Sequence, residues 1–208
     1  MSPCFPAVLS WLLAAAPCPL ETDLGALPSA PPTTRDAPRD LTTELASRYA
    51  AVVPGSVFGP VDLGDHGAVV AAVRCAQPRA MAGCHIVVAH LAPVSGSGLV
   101  LSGVVGTLPL RRTRGATVAI TGVALHDIVD SPTPELIVTW NVGADRYLGA
   151  LAWLGLSKVL SPEPVPAACR LLARCDAESR RQLERGCPDG SITTWRWDPH
   201  LQQATRVR

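Results

Sequence analysis

The runs GAVVAAVRC (67–75) and CHIVVAHL (84–91) decide the fold class. Each is short, apolar and rich in β-branched valine or isoleucine, which favours a strand over a helix. Pro78 and Gly83 lie in the loop between them, so the two runs read as a hairpin. Working outward, 57–63, 99–105, 116–125, 135–141 and 147–154 are further strand candidates, most of them separated by turn residues. VGADR (142–146) is a good hairpin loop. The segments 191–197 and 203–207 close the chain as a last hairpin around Asp198 and Pro199. Many short strands at close spacing predict a mainly β chain of antiparallel hairpins, propeller-blade-like or a sandwich-like open sheet. Two short helices are expected beside them. DLTTELASRYAAV (40–52) has Asp40 as a cap, Glu44 in the first turns, and Leu41, Leu45 and Tyr49 on one face. The composition of 167–186 predicts a second helical segment, with Asp176 as a cap inside it.

The bulk chemistry narrows the function classes. The chain has 208 residues, a hydrophobic share of 48% and a net charge of +1. So even a balance offers no electrostatic basis for a nucleic-acid partner. Aromatic residues are only 4%, too few for base-stacking platforms.

FPAVLSWLLAAA (5–16) has the length of a signal-peptide core and is too short to span a bilayer. No Lys or Arg precedes it, and Pro17 and Pro19 follow the small residues where a cut would fall. A buried N-terminal helix is the alternative. LPSAPPTTRDAPR (27–39) is rich in Pro, Thr and Ser and reads as an extended linker. The expected organisation is therefore a signal-like segment at 1–18, a linker at 19–39 and one β-rich domain at 40–208. Export to the periplasm or outside the cell follows from that order, with lipidation at Cys18 disfavoured by Pro17 before it.

Seven cysteines fit export, because an oxidising compartment pairs them. Cys75 ends one strand and Cys84 begins the next, so a cross-hairpin disulfide is expected. Cys187 pairs with Cys169 or Cys175, leaving one over unless it joins Cys18. Buried thiols are the alternative reading; none of the cysteines forms the CxxC spacing of a zinc or redox motif.

HDIVDSPTPELIV (126–138) sets an acidic loop before an apolar strand. It resembles the turn of FG-GAP and VCBS-type repeats, the blades of exported β-propellers. The resemblance implies a calcium loop of alternating oxygen ligands, with Asp127 as the first, Ser131 in a later position and Glu135 as the last. Val129 stands where a second oxygen ligand belongs, and Pro132 where the family has glycine. On these residues a polar turn without a cofactor is the better reading. VDLGDHGAVV (61–70) repeats the pattern, and 65 residues separate both Asp62 from Asp127 and Asp65 from Asp130. TWRWDPHLQQATRV (194–207) resembles the closing strand pair of such proteins.

Candidates for chemistry are few. His85 and His90 lie five apart, which puts them on opposite faces of a strand. Asp62, Asp65, His66, His126, Asp127 and Asp130 would form an acid–base or metal site only if the two units bring them together. Ser95-Gly-Ser-Gly98 lacks the frame of a nucleophile elbow, and Arg111 to Arg114 is a short basic turn. The expected function is a non-catalytic exported domain, binding or structural. A hydrolase using the Asp/His turns and a subunit of an envelope assembly, with a protein or envelope component as partner, are the alternatives.

Overall fold

The computed structural model describes residues 21–24, 41–49, 51–77, 82–95, 98–110, 116–126, 134–152, 165–166, 168–198 and 203–207. The chain is mainly β, with antiparallel sheets and one short α-helix among the described residues. The first sheet has the order β2 (Phe58–Asp62), β3 (Ala68–Gln77), β4 (Ala82–Val94), β5 (Gly98–Pro109). The second is β6 (Val118–His126), β7 (Glu135–Val142), β8 (Asp145–Ala152). The third is β1 (Thr22–Asp23), β9 (Arg170–Cys175), β10 (Arg181–Gly186), β11 (Ile192–Asp198), β12 (Gln203–Val207).

The three sheets and helix α1 (Leu41–Arg48) stack as layers, which explains why β3 is apolar on both faces. Ala68, Val70 and Ala72 pack with Val87, Ala89 and Leu91 against Leu45 of α1. Their neighbours Val69, Ala71, Val73, Ile86 and Val88 turn the other way, onto Leu136, Val138, Trp140 and Leu151 of the second sheet. That sheet is in turn covered on its far side, where Ile137, Leu148 and Ala150 meet Leu171, Leu183 and Trp195 of the third. Alternation of side chains along each strand thus feeds two cores at once. Gly149 faces the first of these interfaces and leaves room for Leu108 and Trp140. Trp140 and Tyr147 stack there with ring centroids 5.9 Å apart.

Helix α1 ends at Arg48, earlier than the pattern to Val52 suggests. Val52 and Val53 are β-branched and instead run beside β3: the Val53 N–H donates to the Val73 carbonyl and the Cys75 N–H to the Ala51 carbonyl. Ser56, buried below them, accepts from the Val73 N–H at 3.1 Å.

The second helix expected at 167–186 is not formed. Residues 170–186 make the hairpin β9–β10, with Asp176 in its turn rather than at a helix start. Leu171, Ala173 and Leu183 have the spacing of one strand face, and all pack in the core with the second sheet. Burial of that face outweighs the helix propensity of the Ala, Leu, Arg and Gln around it. Within 19–39, Thr22–Asp23 pairs with β9 and Leu24 is 1% exposed in the same core, so this part of the stretch is structure and not tether. The apolar segment at 5–16 and the Pro-rich 27–39 lie outside the described residues. Among the described residues, no helix is long and apolar enough to cross a membrane.

Candidate functional site

The turn between β2 and β3 is built by Asp62. Its Oδ1 accepts from the Gly64 N–H at 2.8 Å. Gly64 starts a single 3-10 turn, and Gly67 closes it with φ of 80°. Gly67 also admits His90: a Cβ there would stand 2.7 Å from His90 Nε2. His90 Nδ1 lies 2.7 Å from Ser102 Oγ, and that hydroxyl donates to the His90 carbonyl at 3.0 Å. The single hydroxyl proton can serve one of these two acceptors: with Nδ1 protonated the ring donates to Oγ, and in the other tautomer Nδ1 accepts. In either tautomer the contact orients the ring against the edge of β5.

The second acidic segment follows β6 in the chain. Asp127, Asp130 and Ser131 lie outside the described residues, as do Val129 and Pro132. Glu135 opens β7 and is 1% exposed, directly opposite His126 in the ladder. Burial pushes the His126 pKa below its ordinary value. The 65-residue offset lays the end of β2 on the end of β6, so each acidic segment follows the first strand of its meander along the chain. The described members differ in environment: Asp62 and Asp65 are exposed, while Glu135 is buried. Among the described residues no group of three or more His, Cys, Asp or Glu is placed to hold a metal ion. His85 and His90 fall on opposite faces of β4, in the rows of Val87 and of Ile86 respectively. Burial, and then the positive Arg74 opposite it, lower the His85 pKa. Arg111 to Arg114 lie outside the described residues.

The cysteines occupy defined ladder positions. Cys75 and Cys84 are register partners and are joined, with Cα atoms 4.0 Å apart. Cys187 is joined to Cys169, one step beyond the Arg170–Gly186 pair, so this bridge clamps the open end of the β9–β10 hairpin. Cys175 is disulfide-bonded as well.

One feature was not visible in the sequence because most of its residues meet across strands. The outer face of the third sheet carries a charged network. Glu184, buried, pairs with Arg174. Asp176 Oδ2 receives Arg180 Nε at 2.9 Å and Arg196 Nη2 at 2.7 Å. The Arg180 N–H, the Arg180 side chain and the Glu178 N–H hold the Asp176 carboxyl below the usual carboxylate range. Arg174 Nε and Arg196 Nε are buried and have no hydrogen-bond partner among the described residues. On the inner face, Arg185 lies 5.6 Å over the Trp195 ring and donates to Thr193 Oγ1. Asp176 and Arg180 are four apart in one turn, but spacing along the chain carries no sign of the Arg174–Glu184 and Arg196–Asp176 pairs, whose members come from different parts of the sheet.

Comparison with protein-family models, curated proteins and solved structures finds no match. The chain is defined by its architecture: a disulfide-bonded, open stack of antiparallel β-meanders.

Proposed function

We propose that this protein is an exported, non-catalytic β domain that acts in binding or in envelope structure, in the periplasm or outside the cell. The observation that carries the reading is the pair of disulfides in register with their hairpins. Such bonds persist where thiols are kept oxidised. The likeness to FG-GAP and VCBS-type blades enters the same proposal. Its support is the succession of meanders in chain order, each packed face to face on the next. Three such sheets make an open stack, fewer than the four or so blades of a closed propeller.

A second reading, a subunit of a larger assembly, is favoured by a specific observation. The exposed large hydrophobics among the described residues are Val104, Ile192 and Val207. Val104 and Val207 lie on the edge strands β5 and β12, and Ile192 opens β11 next to β12. Free edges with apolar side chains are where a neighbouring chain adds.

Osmotic-shock fractionation with non-reducing intact-mass measurement tests the export reading. The expected form is extracytoplasmic, shortened at its N-terminus and oxidised at Cys75, Cys84, Cys169 and Cys187. A full-length, fully reduced chain in the cytoplasm refutes it.

A further inference from the structure

We infer that Cys18 is the partner of Cys175, so that a third disulfide ties the chain ahead of β1 to the end of β9. Cys175 is disulfide-bonded. Of the other six cysteines, four are joined as Cys75–Cys84 and Cys169–Cys187. Only Cys4 and Cys18 remain within this chain, and both lie outside the described residues. The ladder between β1 and β9 decides between them.

Thr22 is the register partner of Ala173 and Asp23 of Leu172, and the Leu24 N–H donates to the Leu171 carbonyl at 2.9 Å. β1 therefore runs antiparallel to β9, and the chain ahead of Thr22 enters from the Cys175 end of that strand. Cys175 lies two residues past Ala173, about 6–7 Å along the strand. Cys18 lies four residues ahead of Thr22, a span of at most about 13–14 Å. A bond between them needs Cα atoms about 4.4–6.8 Å apart, which this tether permits. Leu171, Ala173 and Leu24 pack in one core, and alternation along β9 sets Cys175 in the row of the first two. An extended chain counted by twos from Leu24 would carry Cys18 to the same face.

Cys4 is 18 residues ahead of Thr22. Closure of a flexible tether falls as about the −3/2 power of its length, so Cys18 meets Cys175 about tenfold more often than Cys4 does. The step is a thiol–disulfide exchange. The Cys18 and Cys175 thiols give up two protons and two electrons, their Sγ–Sγ bond forms, and a disulfide oxidant is reduced to two thiols. β1 has only two residues, and the bond holds this short strand at the end of the third sheet. Cys18 is then a half-cystine and carries no lipid. One consequence rests on the export reading: the leader is cut ahead of Cys18 and takes Cys4 with it, so the odd count of seven becomes three pairs. The pairing itself does not rest on that reading.

Non-reducing peptide mapping is the test, on the full chain refolded with oxidised and reduced glutathione and then blocked with N-ethylmaleimide. Trypsin releases CDAESR (175–180), and chymotrypsin cuts between Cys4 and Cys18 at Trp11. The expected species is 175–180 joined to a fragment that holds Cys18 and lacks Cys4, with the maleimide on Cys4. Cys4→Ser should melt as wild type, whereas Cys4→Ser/Cys18→Ser should melt several degrees lower and expose Cys175 to the maleimide. A link from Cys175 to Cys4, or a wild-type Cys175 that carries the maleimide, overturns the inference. Failure of the export reading is separate: it shows as a reduced chain in the cytoplasm and leaves the map of the refolded chain unchanged.

Discussion

Replacing Gly149 by alanine tests whether the first two sheets are packed as tightly as their geometry indicates. The new Cβ would stand 2.8 Å and 3.1 Å from the two δ-carbons of Leu108, and 3.1 Å from Trp140 Cη2. Carbon atoms at rest lie about 3.5–4.0 Å apart. The leucine end could yield if it had somewhere to go. Leu108 is 0% exposed, however, and Trp140 is held against Tyr147. Overpacking of this kind costs about 1–3 kcal/mol. Loss of glycine's freedom in the unfolded chain offsets about 0.5–1 kcal/mol of it. The net expectation is a destabilisation of about 1–2 kcal/mol, or a fall in Tm of about 2–8 °C for a domain of this size. Urea denaturation of wild type, Gly149→Ala, Leu108→Val and the double variant completes a cycle. Leu108→Val alone should cost about 1 kcal/mol. In the double variant the shortened side chain makes room for the methyl, so the losses should fall short of additivity by about 1 kcal/mol. A Gly149→Ala protein that melts at or above wild type, or a strictly additive cycle, would refute tight packing at this point.

Three other outcomes are expected. The Cys75→Ser/Cys84→Ser variant opens a loop of sequence separation 9, and Cys169→Ser/Cys187→Ser one of 18. Loop entropy predicts losses of about 2–3 and about 3 kcal/mol respectively, readable by urea melts, and a reversed order would count against that account. His85 and His126 have pKa values below their ordinary 6.5 in the folded chain. The unfolded chain then takes up protons first, so Tm should fall as pH drops below about 6.5, and His85→Gln with His126→Gln should flatten that slope. The turn from Asp127 to Glu135 has Val129 at an oxygen-ligand position, so a calcium chelator should leave Tm unchanged; a drop would mean that the loop binds the ion.

Much of the fold was legible in the chain. The runs at 67–75 and 84–91 announced β3 and β4 because β-branched residues between turn signals have few other ways to be buried. The turn residues at 142–146 placed the β7–β8 hairpin for the same reason. The candidate site was less legible. Asp62 and Asp65 could be named from the sequence, but whether they meet His126 and Glu135 depends on how separate sheets stack, which local spacing does not encode. The charged network of Asp176, Glu184, Arg174 and Arg196 was likewise hidden, because strand register brings its members together.

The stretch 167–186 marks the boundary between the two kinds of information. Its composition favours a helix, and its spacing of Leu171, Ala173 and Leu183 permits a strand. Local propensity differs between the two states by only about 1 kcal/mol per residue at most. Contact with Ile137 and Leu148, and the clamp between Cys169 and Cys187, weigh more than that difference. The sequence by itself thus determined a chain of antiparallel hairpins and the closeness of Cys75 to Cys84, both local consequences of side-chain period and turn chemistry. Only the tertiary structure decided the β9–β10 hairpin of the third sheet and the docking of Leu24 into its core. Each of these depends on which surfaces are covered by residues distant in the chain.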